Sequence, residues 1–289
     1  MNQPRNNALL CPGCRKLISR DVPACPYCGM THPGSPLKAN WWTQKMQSPE
    51  GLIKAIIYTN VAFYALALLL NPRGFGFSMN PLNFLSPASN TLFILGATGR
   101  YPIDQIWPGI TGNPFIGWLT LLTANFLHGS LLHILFNMLV LRQIGLLTIQ
   151  EFGIYRMMII YLLSGIGGFF LSYLAGVSFT IGASAAVCGL IGALIYFGKS
   201  RGGVYGNAVY RQIGGWAIGL LIIGLMPGIN NWGHAGGFLS GIGLAFLLGY
   251  RERNPENFAH KAIAGICTLA TVIALAASAG FGIFYTIYG

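Results

Sequence analysis

A small set of polar side chains lies in otherwise apolar segments, and its residue types are those of nucleophilic catalysis. The set comprises His128, His133, Asn137, Ser184 and His234. A serine hydroxyl beside a histidine base becomes an activated nucleophile. Further hydrogen-bond donors can stabilise the oxyanion that forms when the serine attacks a carbonyl. His133 and Asn137 are four residues apart, so a helix would place both on one face.

Four cysteines near the amino terminus form a second set, which has the spacing of a structural metal site. Cys11 pairs with Cys14 and Cys25 with Cys28 in two Cys-x-x-Cys motifs. Two such turns direct four thiolates to one point, as in structural zinc sites. We expect a zinc ribbon over residues 1–35, because so short a segment needs a metal to fold. A redox pair or thiols without metal are the alternative.

The composition indicates that the rest of the chain lies in a membrane. Of its 289 residues 54% are hydrophobic and 8% are charged, whereas a soluble domain has about 25% charged residues. This composition argues against a disordered protein, a coiled coil and an ordinary cytosolic enzyme. Seven apolar runs approach the roughly 20 residues that cross a bilayer, at about 53–71, 128–147, 155–175, 182–198, 212–229, 234–250 and 263–285. The segment 72–127 is too broken to span and predicts an interfacial loop.

The basic residues predict the orientation of these spans. Lys and Arg are frequent before the first span and near the connections that follow the second, fourth and sixth. Such connections stay in the cytoplasm, so we expect the amino terminus inside and the carboxyl terminus outside. Ser184, His234, His133 and Asn137 would then lie near the outer ends of three helices. The net charge of +11 is therefore interpreted as a topology signal, and no nucleic-acid partner is expected.

The absence of acidic residues from the predicted spans narrows the classes of protein. No Asp or Glu falls within any span, and the sequence has no His-Glu-x-x-His motif. An aspartyl intramembrane protease and a zincin-like metalloprotease are thus unsupported. A proton-coupled transporter is disfavoured, since it usually needs a buried carboxylate.

Three motifs resemble those of the rhomboid intramembrane serine proteases. HGSLLHILFN at 128–137 resembles the family's second-span HxxxxHxxxN pattern, and GASA at 182–185 resembles its GxSx nucleophile motif. GHAGG at 233–237 is similar to its sixth-span histidine followed by glycines. The resemblance covers about 53–250, with the motifs in the family's order on the matching spans.

The resemblance implies a Ser–His dyad without an acidic third member. Carried over by position, Ser184 is the nucleophile and His234 the general base. The oxyanion is bound by His133, Asn137 and the Ser184 backbone N–H. Gly182 allows a close turn, and His128 supports the site. Catalysis needs no cofactor.

The sequence therefore predicts an all-α polytopic membrane protein with a six-helix rhomboid core at 53–250. The core follows a linker at 36–52 and precedes a seventh helix and tail at 251–289. The predicted function is cleavage of transmembrane protein substrates near the outer face of a membrane, the bacterial cytoplasmic membrane by expectation. The alternative is a non-catalytic rhomboid-like protein that binds membrane clients. The ribbon could bind a protein partner.

Some residues depart from the family pattern, and others indicate how the helices pack. Cys188 occupies a position where an aromatic often packs under the histidine, and the acidic residue after the second span is displaced to Glu151. Gly233, Gly237 and Gly241 recur every four residues, which predicts a close approach of spans four and six. The shortness of these spans predicts a small residue, such as Ala, before the scissile bond.

Overall fold

The computed structural model describes residues 7–11, 14, 16–27, 32–35, 48–72, 74, 80 and 83–288. Cys28 and most of the predicted linker at 36–52 lie outside these residues. The chain divides into two compact units, Met1–Ile56 and Ile57–Gly289. The finer boundaries at residues 35, 52 and 250 stay predictions.

The first unit contains a small antiparallel hairpin. Strand β1 is Ala8–Leu10 and strand β2 is Leu17–Ser19. Leu9 lies opposite Ile18 in the register. The buried side chains of Ile18, Cys11 and Cys25 form a small cluster, so cysteines make up much of this unit's interior.

Seven helices of 18 residues or more dominate the described residues. They are α1 Pro49–Leu69, α2 Leu131–Phe152, α3 Ile154–Leu174, α4 Ser184–Arg201, α5 Gly203–Gly224, α6 Asn231–Leu248 and α7 Phe258–Tyr288. Helices α1, α2, α3 and α7 are long and apolar enough to cross a membrane by themselves. The predicted all-α fold is confirmed, and its fourth and sixth helices are the short ones, at 18 residues each.

The fifth helix was placed wrongly by the hydropathy pattern. It begins at Gly203, nine residues before the predicted start at 212, because the polar and basic stretch after α4 is helical. A single residue, Gly202, separates α4 from α5, and its φ of +65° lets the chain reverse where other residues would be strained. Gly153, with φ +99°, makes the same kind of turn between α2 and α3.

The described part of segment 72–127 contains more helical structure than the loop expected from its sequence. Its described residues form short helical pieces, some of them 3₁₀ or π turns: Ser89–Ile94, Pro102–Ile106, Trp107–Thr111, Ile116–Leu119, Thr120–Thr123 and Ala124–Phe126. Several apolar side chains along it are buried, among them Leu95, Ile103 and Trp107. The Pro and Gly residues that break a long helix thus leave short turns that still bury apolar surface.

This segment holds the connection that leads into α4. The backbones of Thr98 and Thr180 exchange two hydrogen bonds, with N···O distances of 3.2 and 2.7 Å. Near the start of α4 the Gly182 N–H donates to the Ala124 carbonyl at 2.9 Å. The residues just before Ser184 are therefore fixed by backbone pairing on one side.

Glycines let α6 pack directly on the backbones of two neighbours. A Cβ on Gly237 would lie 2.8 Å from the carbonyl carbon of Ala185, and one on Gly241 would overlap Gly189. These two glycines therefore face α4, as predicted. The prediction was wrong for Gly233, which faces α3, since its carbonyl oxygen lies only 2.5 Å from where a Cβ of Gly168 would sit. Helix α6 lies between two helices, so its glycines serve two interfaces.

Candidate active site

Ser184 is the first residue of α4. The backbone N–H groups of a helix's first turn have no partner within the helix, and they carry the positive end of its dipole. The side chain of Ser184 is half-buried, between fully buried Ala183 and Ala185. A carbonyl oxygen that acquires negative charge next to Ser184 would therefore meet an unused backbone donor.

Gly182 lies beside both the His133 imidazole and the Ser184 hydroxyl. With φ +119°, Gly182 has a conformation that other residues rarely adopt, and a Cβ there would lie 2.7 Å from His133 Nε2. The same point is 3.9 Å from Ser184 Oγ. A side chain at residue 182 would therefore occupy space that borders both the imidazole and the hydroxyl.

A backbone hydrogen bond selects the tautomer of His133. The Gly129 N–H donates to Nδ1 of His133 at 3.3 Å. A nitrogen that accepts carries no proton in the neutral ring, so the proton lies on Nε2. Nε2 is the atom beside Gly182, so His133 presents a donor on the side of Ser184.

Asn137 lies one helical turn after His133 and is 3% exposed. Its Nδ2 donates to the His133 carbonyl at 2.9 Å, which uses one of its two amide hydrogens. The predicted i, i+4 relation of the two residues is present in α2, whose first turn is capped by Ser130. The cap oxygen accepts from the His133 N–H at 3.2 Å, which fixes the backbone that carries both side chains.

His128 is fully buried just before α2, and its ring centroid lies 5.0 Å from that of His133. Neither of its ring nitrogens makes a hydrogen bond of acceptable geometry to the described residues. It packs edge-on against His133, which fits the supporting role expected from the sequence.

His234 is the fourth residue of α6, one helical turn before the glycine that contacts α4 next to Ser184. His234, Gly237 and Gly241 share one face of α6 by their i, i+3 and i+7 spacing. Gly237 touches the backbone of Ala185, the residue next to Ser184. This contact of α4 and α6 therefore lies within one helical turn of each member of the predicted dyad.

An apolar pocket of ≈ 400 Å³ lies beside His234. It lies between α4, α5 and α6, and its lining includes Cys188, Ile191, Ala217, Leu220, His234 and Phe238. Cys188 is one helical turn after Ser184, on the same face of α4. The small cysteine side chain leaves this space open where an aromatic residue would fill it.

Three further polar residues near the site were missed by the sequence analysis. Asn230 caps α6 by accepting from the Gly233 N–H at 3.0 Å. Its Nδ2 donates to Ser172 Oγ and to Thr180 Oγ1, each at 2.8 Å. An Asn just before an apolar helix is an N-cap signal, so the cap could have been recognised, but its two other partners could not.

Among the described residues, the amino-terminal cysteines form the one group found that could hold a metal ion. The sulfur atoms of Cys11, Cys14 and Cys25 all lie within 4.8 Å of one another, with 3.7 Å between those of Cys14 and Cys25. Zinc–sulfur bonds of about 2.3 Å in a tetrahedron place sulfur atoms about 3.8 Å apart. The three thiols fit such a site, whereas the predicted fourth ligand, Cys28, lies outside the described residues.

Comparison with known proteins agrees with the motifs. Residues 117–251 match the model of the Rhomboid domain family. The matched range includes Ser184, His234, His133 and Asn137. The chain is 35% identical over 234 residues to RHOMBOID-like protein 7 of Arabidopsis thaliana, covering 71% of this chain and 68% of that protein.

Two other relatives differ in what their names say about activity. The chain is 32% identical over 161 residues to Rhomboid protease GluP of Bacillus subtilis (strain 168), covering 54% of this chain and 31% of that protein. It is also 32% identical over 167 residues to Inactive RHOMBOID-like protein 8 of Arabidopsis thaliana, covering 56% of this chain and 44% of that protein.

The chain spans 52% to 66% of the length of several other Arabidopsis relatives. The family match, the similarity to RHOMBOID-like protein 7 and the helical fold lead to one conclusion: the chain is a multi-pass membrane protein that belongs to the rhomboid family.

Proposed function

We propose that the protein is an intramembrane serine endopeptidase that works through a dyad of Ser184 and His234. In this mechanism His234 takes the proton of the Ser184 hydroxyl as Oγ attacks the scissile carbonyl. The same proton then passes to the leaving amine, and a water molecule hydrolyses the acyl-enzyme with His234 as base. Each step is a proton transfer or an acyl transfer, so none requires a metal or an organic cofactor.

The oxyanion would be stabilised by donors from two helices. The proposed donors are Nε2–H of His133, the second amide hydrogen of Asn137 and the backbone N–H of Ser184. Because these groups are held by local hydrogen bonds before a substrate arrives, they need little reorganisation as charge develops. This preorganisation would lower the barrier more than it strengthens substrate binding.

The observation that carries the proposal is that Gly182 lies beside both a histidine and a serine side chain. The His133 imidazole and the Ser184 hydroxyl both lie within 4 Å of the point where a side chain of residue 182 would begin. A purely structural turn would not need a hydrogen-bond donor and a nucleophile beside the same glycine. His234, one helical turn from the contact of Gly237 with Ala185, is the proposed base.

The proposed substrates are membrane-spanning proteins, cut near the outer face. A substrate helix hides its carbonyls in i to i+4 hydrogen bonds, so attack requires local unwinding, which weak helix formers such as Gly and Pro favour. The cytoplasmic amino terminus rests on the basic-residue pattern and is part of the proposal. The bacterial cytoplasmic membrane stays a prediction, since the relatives compared come from both a plant and a bacterium.

Covalent labelling of the detergent-solubilised full chain tests the proposal. A fluorophosphonate should label the wild type on Ser184. Ser184→Ala and His234→Ala should each abolish both labelling and cleavage of a model transmembrane substrate while the protein stays folded. Ser178→Ala is the matched control, because Ser178 is an exposed serine in the connection that leads to α4.

The outcome also decides between the proposal and a non-catalytic rhomboid-like protein. Equal labelling of the wild type and Ser184→Ala, or residual turnover above a few per cent in either dyad variant, would refute the mechanism. A folded wild type that neither reacts nor cleaves would favour a client-binding role.

We also propose that Cys11, Cys14, Cys25 and Cys28 bind one structural zinc ion. The distances among the three described thiols support a tetrahedral site. The metal would stabilise a hairpin in whose two strands Ile18 is the one buried side chain. A protein partner for this ribbon remains an expectation from its sequence.

A further inference from the structure

We propose that Asn230 is a positioning residue that fixes the segment carrying Ser184 against the helix carrying His234. The inference rests on the proposed function, because it assigns Asn230 a part in aligning the dyad. It concerns a residue outside the three motifs that resemble the family pattern.

The side-chain amide of Asn230 joins three separate parts of the chain. Nδ2 donates one hydrogen to Thr180 Oγ1 and the other to Ser172 Oγ, each at 2.8 Å. Oδ1 accepts from the N–H of Gly233 at 3.0 Å. The connection before α4, the end of α3 and the first turn of α6 therefore meet at one side chain.

The surrounding groups determine which way the amide is turned. The Ser172 hydroxyl donates its hydrogen to the Gly168 carbonyl at 2.9 Å, so its oxygen can accept but not donate toward Asn230. The Gly233 N–H can only donate. The amide nitrogen must therefore face Ser172 and the amide oxygen must face Gly233, which is the observed orientation.

The Asn230–Thr180 bond joins two residues that each precede one member of the proposed dyad by four positions. Asn230 precedes His234 by one helical turn, and its carbonyl accepts from the His234 N–H at 3.2 Å. Thr180 precedes Ser184 by the same number of residues. Thr180 is also paired through its backbone to Thr98. A shift of either segment relative to the other must break or stretch the side-chain bond.

Such a shift would matter because the two reacting side chains come from different helices. The alignment of nucleophile and base is sensitive to displacements of about 1 Å, which can reduce rates by about a hundredfold. A neutral hydrogen bond contributes about 1 kcal/mol, which corresponds to about a fivefold to tenfold change in an equilibrium between aligned and misaligned states. We therefore expect loss of the bond to slow the acylation of Ser184 by about tenfold.

Thr180→Val is the main test variant. Valine keeps the shape of threonine and suits the extended backbone that pairs with Thr98, but it removes the acceptor for Asn230. Asn230→Ser keeps an oxygen that can cap α6 but is too short to reach both hydroxyls. Thr180→Ser restores the hydroxyl and should restore the rate. Thr271→Val is the control, since the hydroxyl of Thr271 bonds the Cys267 carbonyl of its own helix at 2.8 Å.

Kinetics of the reconstituted full chain provide the first readout. With a model transmembrane substrate, Thr180→Val and Asn230→Ser should each lower kcat about tenfold with little change in KM. Their double mutant should be no slower than the slower single variant, because both changes remove the same bond. Thr180→Ser and Thr271→Val should stay near the wild-type kcat. A wild-type kcat in Thr180→Val, or equal losses in Thr180→Val and Thr180→Ser, would overturn the inference.

Amide hydrogen exchange provides a second readout that does not depend on activity. Thr180→Val should increase exchange in residues 231–236 of α6 as well as in its own segment, and Asn230→Ser should increase exchange in residues 177–183. Changes confined to the mutated segment would overturn the inference. A wild type that fails to label or cleave would contradict the proposed function, and the exchange data would still decide whether Asn230 couples the two segments.

Discussion

His133 Nε2 lies against the α-carbon of Gly182, so closely that a Cβ at residue 182 would come within 2.7 Å of it. The φ of +119° at Gly182 adds a conformational cost of about 1–3 kcal/mol for any other residue. Both effects act at Gly182, two residues before Ser184.

Gly182→Ala should therefore reduce fluorophosphonate labelling of Ser184 by about a hundredfold, since the imidazole or the turn must move. The rate of labelling in detergent measures the effect, with circular dichroism as the check on folding. Gly109→Ala is the control, because no atom lies within 4 Å of where its Cβ would be. Labelling of folded Gly182→Ala at the wild-type rate would contradict the described geometry.

His133→Ala should lower kcat much more than it raises KM. The imidazole presents its Nε2 proton to the site because Nδ1 is occupied by the Gly129 N–H, and loss of one oxyanion donor costs about 10²–10³ in rate. Steady-state kinetics with a model substrate separate the two parameters. Asn137→Ala should show a smaller loss in the same direction, and a double mutant as active as the wild type would remove both residues from the site.

Two glycines on α6 should respond very differently to the same substitution. A Cβ on Gly241 would overlap the backbone of Gly189 in α4, whereas one on Gly243 would meet nothing within 4 Å. Gly241→Ala should destabilise the protein by about 1–3 kcal/mol, the usual cost of overpacking. Gly243→Ala should be neutral or slightly stabilising. Thermal unfolding in detergent compares the pair, and equal midpoints would argue against the close contact of α4 and α6.

The pocket beside His234 should influence the choice of substrate. We expect Cys188→Phe to fill part of the ≈ 400 Å³ space and to increase the preference for Ala over Leu before the scissile bond. Pocket contacts of this size change discrimination by about 10–200-fold. Cleavage of matched single-span substrates with Ala, Leu or Trp at that position gives the kcat/KM ratios. Cys188→Ala, which keeps the pocket open, is the control, and identical ratios in all three proteins would exclude the pocket from substrate choice.

The full chain should contain one zinc ion. Cys14→Ser should remove it, because the Cys14 and Cys25 sulfur atoms are separated by 3.7 Å, as two ligands of one ion would be. Metal analysis of the purified protein gives the stoichiometry. Cys267→Ser, which changes a cysteine of α7, should retain the metal. Wild-type protein that is folded and free of zinc would refute the metal site.

Much of the helical framework was predictable because it depends on local patterns. The lengths of the apolar runs predicted the long helices, and the i, i+4 spacing placed His133 and Asn137 on one face of α2. The fifth helix was misplaced because a polar helical turn and a loop have similar hydropathy. The chain reverses at Gly202 and Gly203, which both have positive φ values, and hydropathy does not report such backbone angles.

The sequence by itself determined the family, the helical class and the identities of the candidate dyad, because these are carried by residue types at fixed spacings. The tertiary structure decided which residues meet across the chain. It paired Asn230 with Thr180 and Ser172, turned Gly233 toward α3, folded the described part of 72–127 into short helical pieces and left a pocket beside Cys188. Such contacts join residues that are far apart in sequence, and they depend on how side chains fill space between helices. Helical periodicity reports which face of a helix is apolar, but not which neighbour that face will meet.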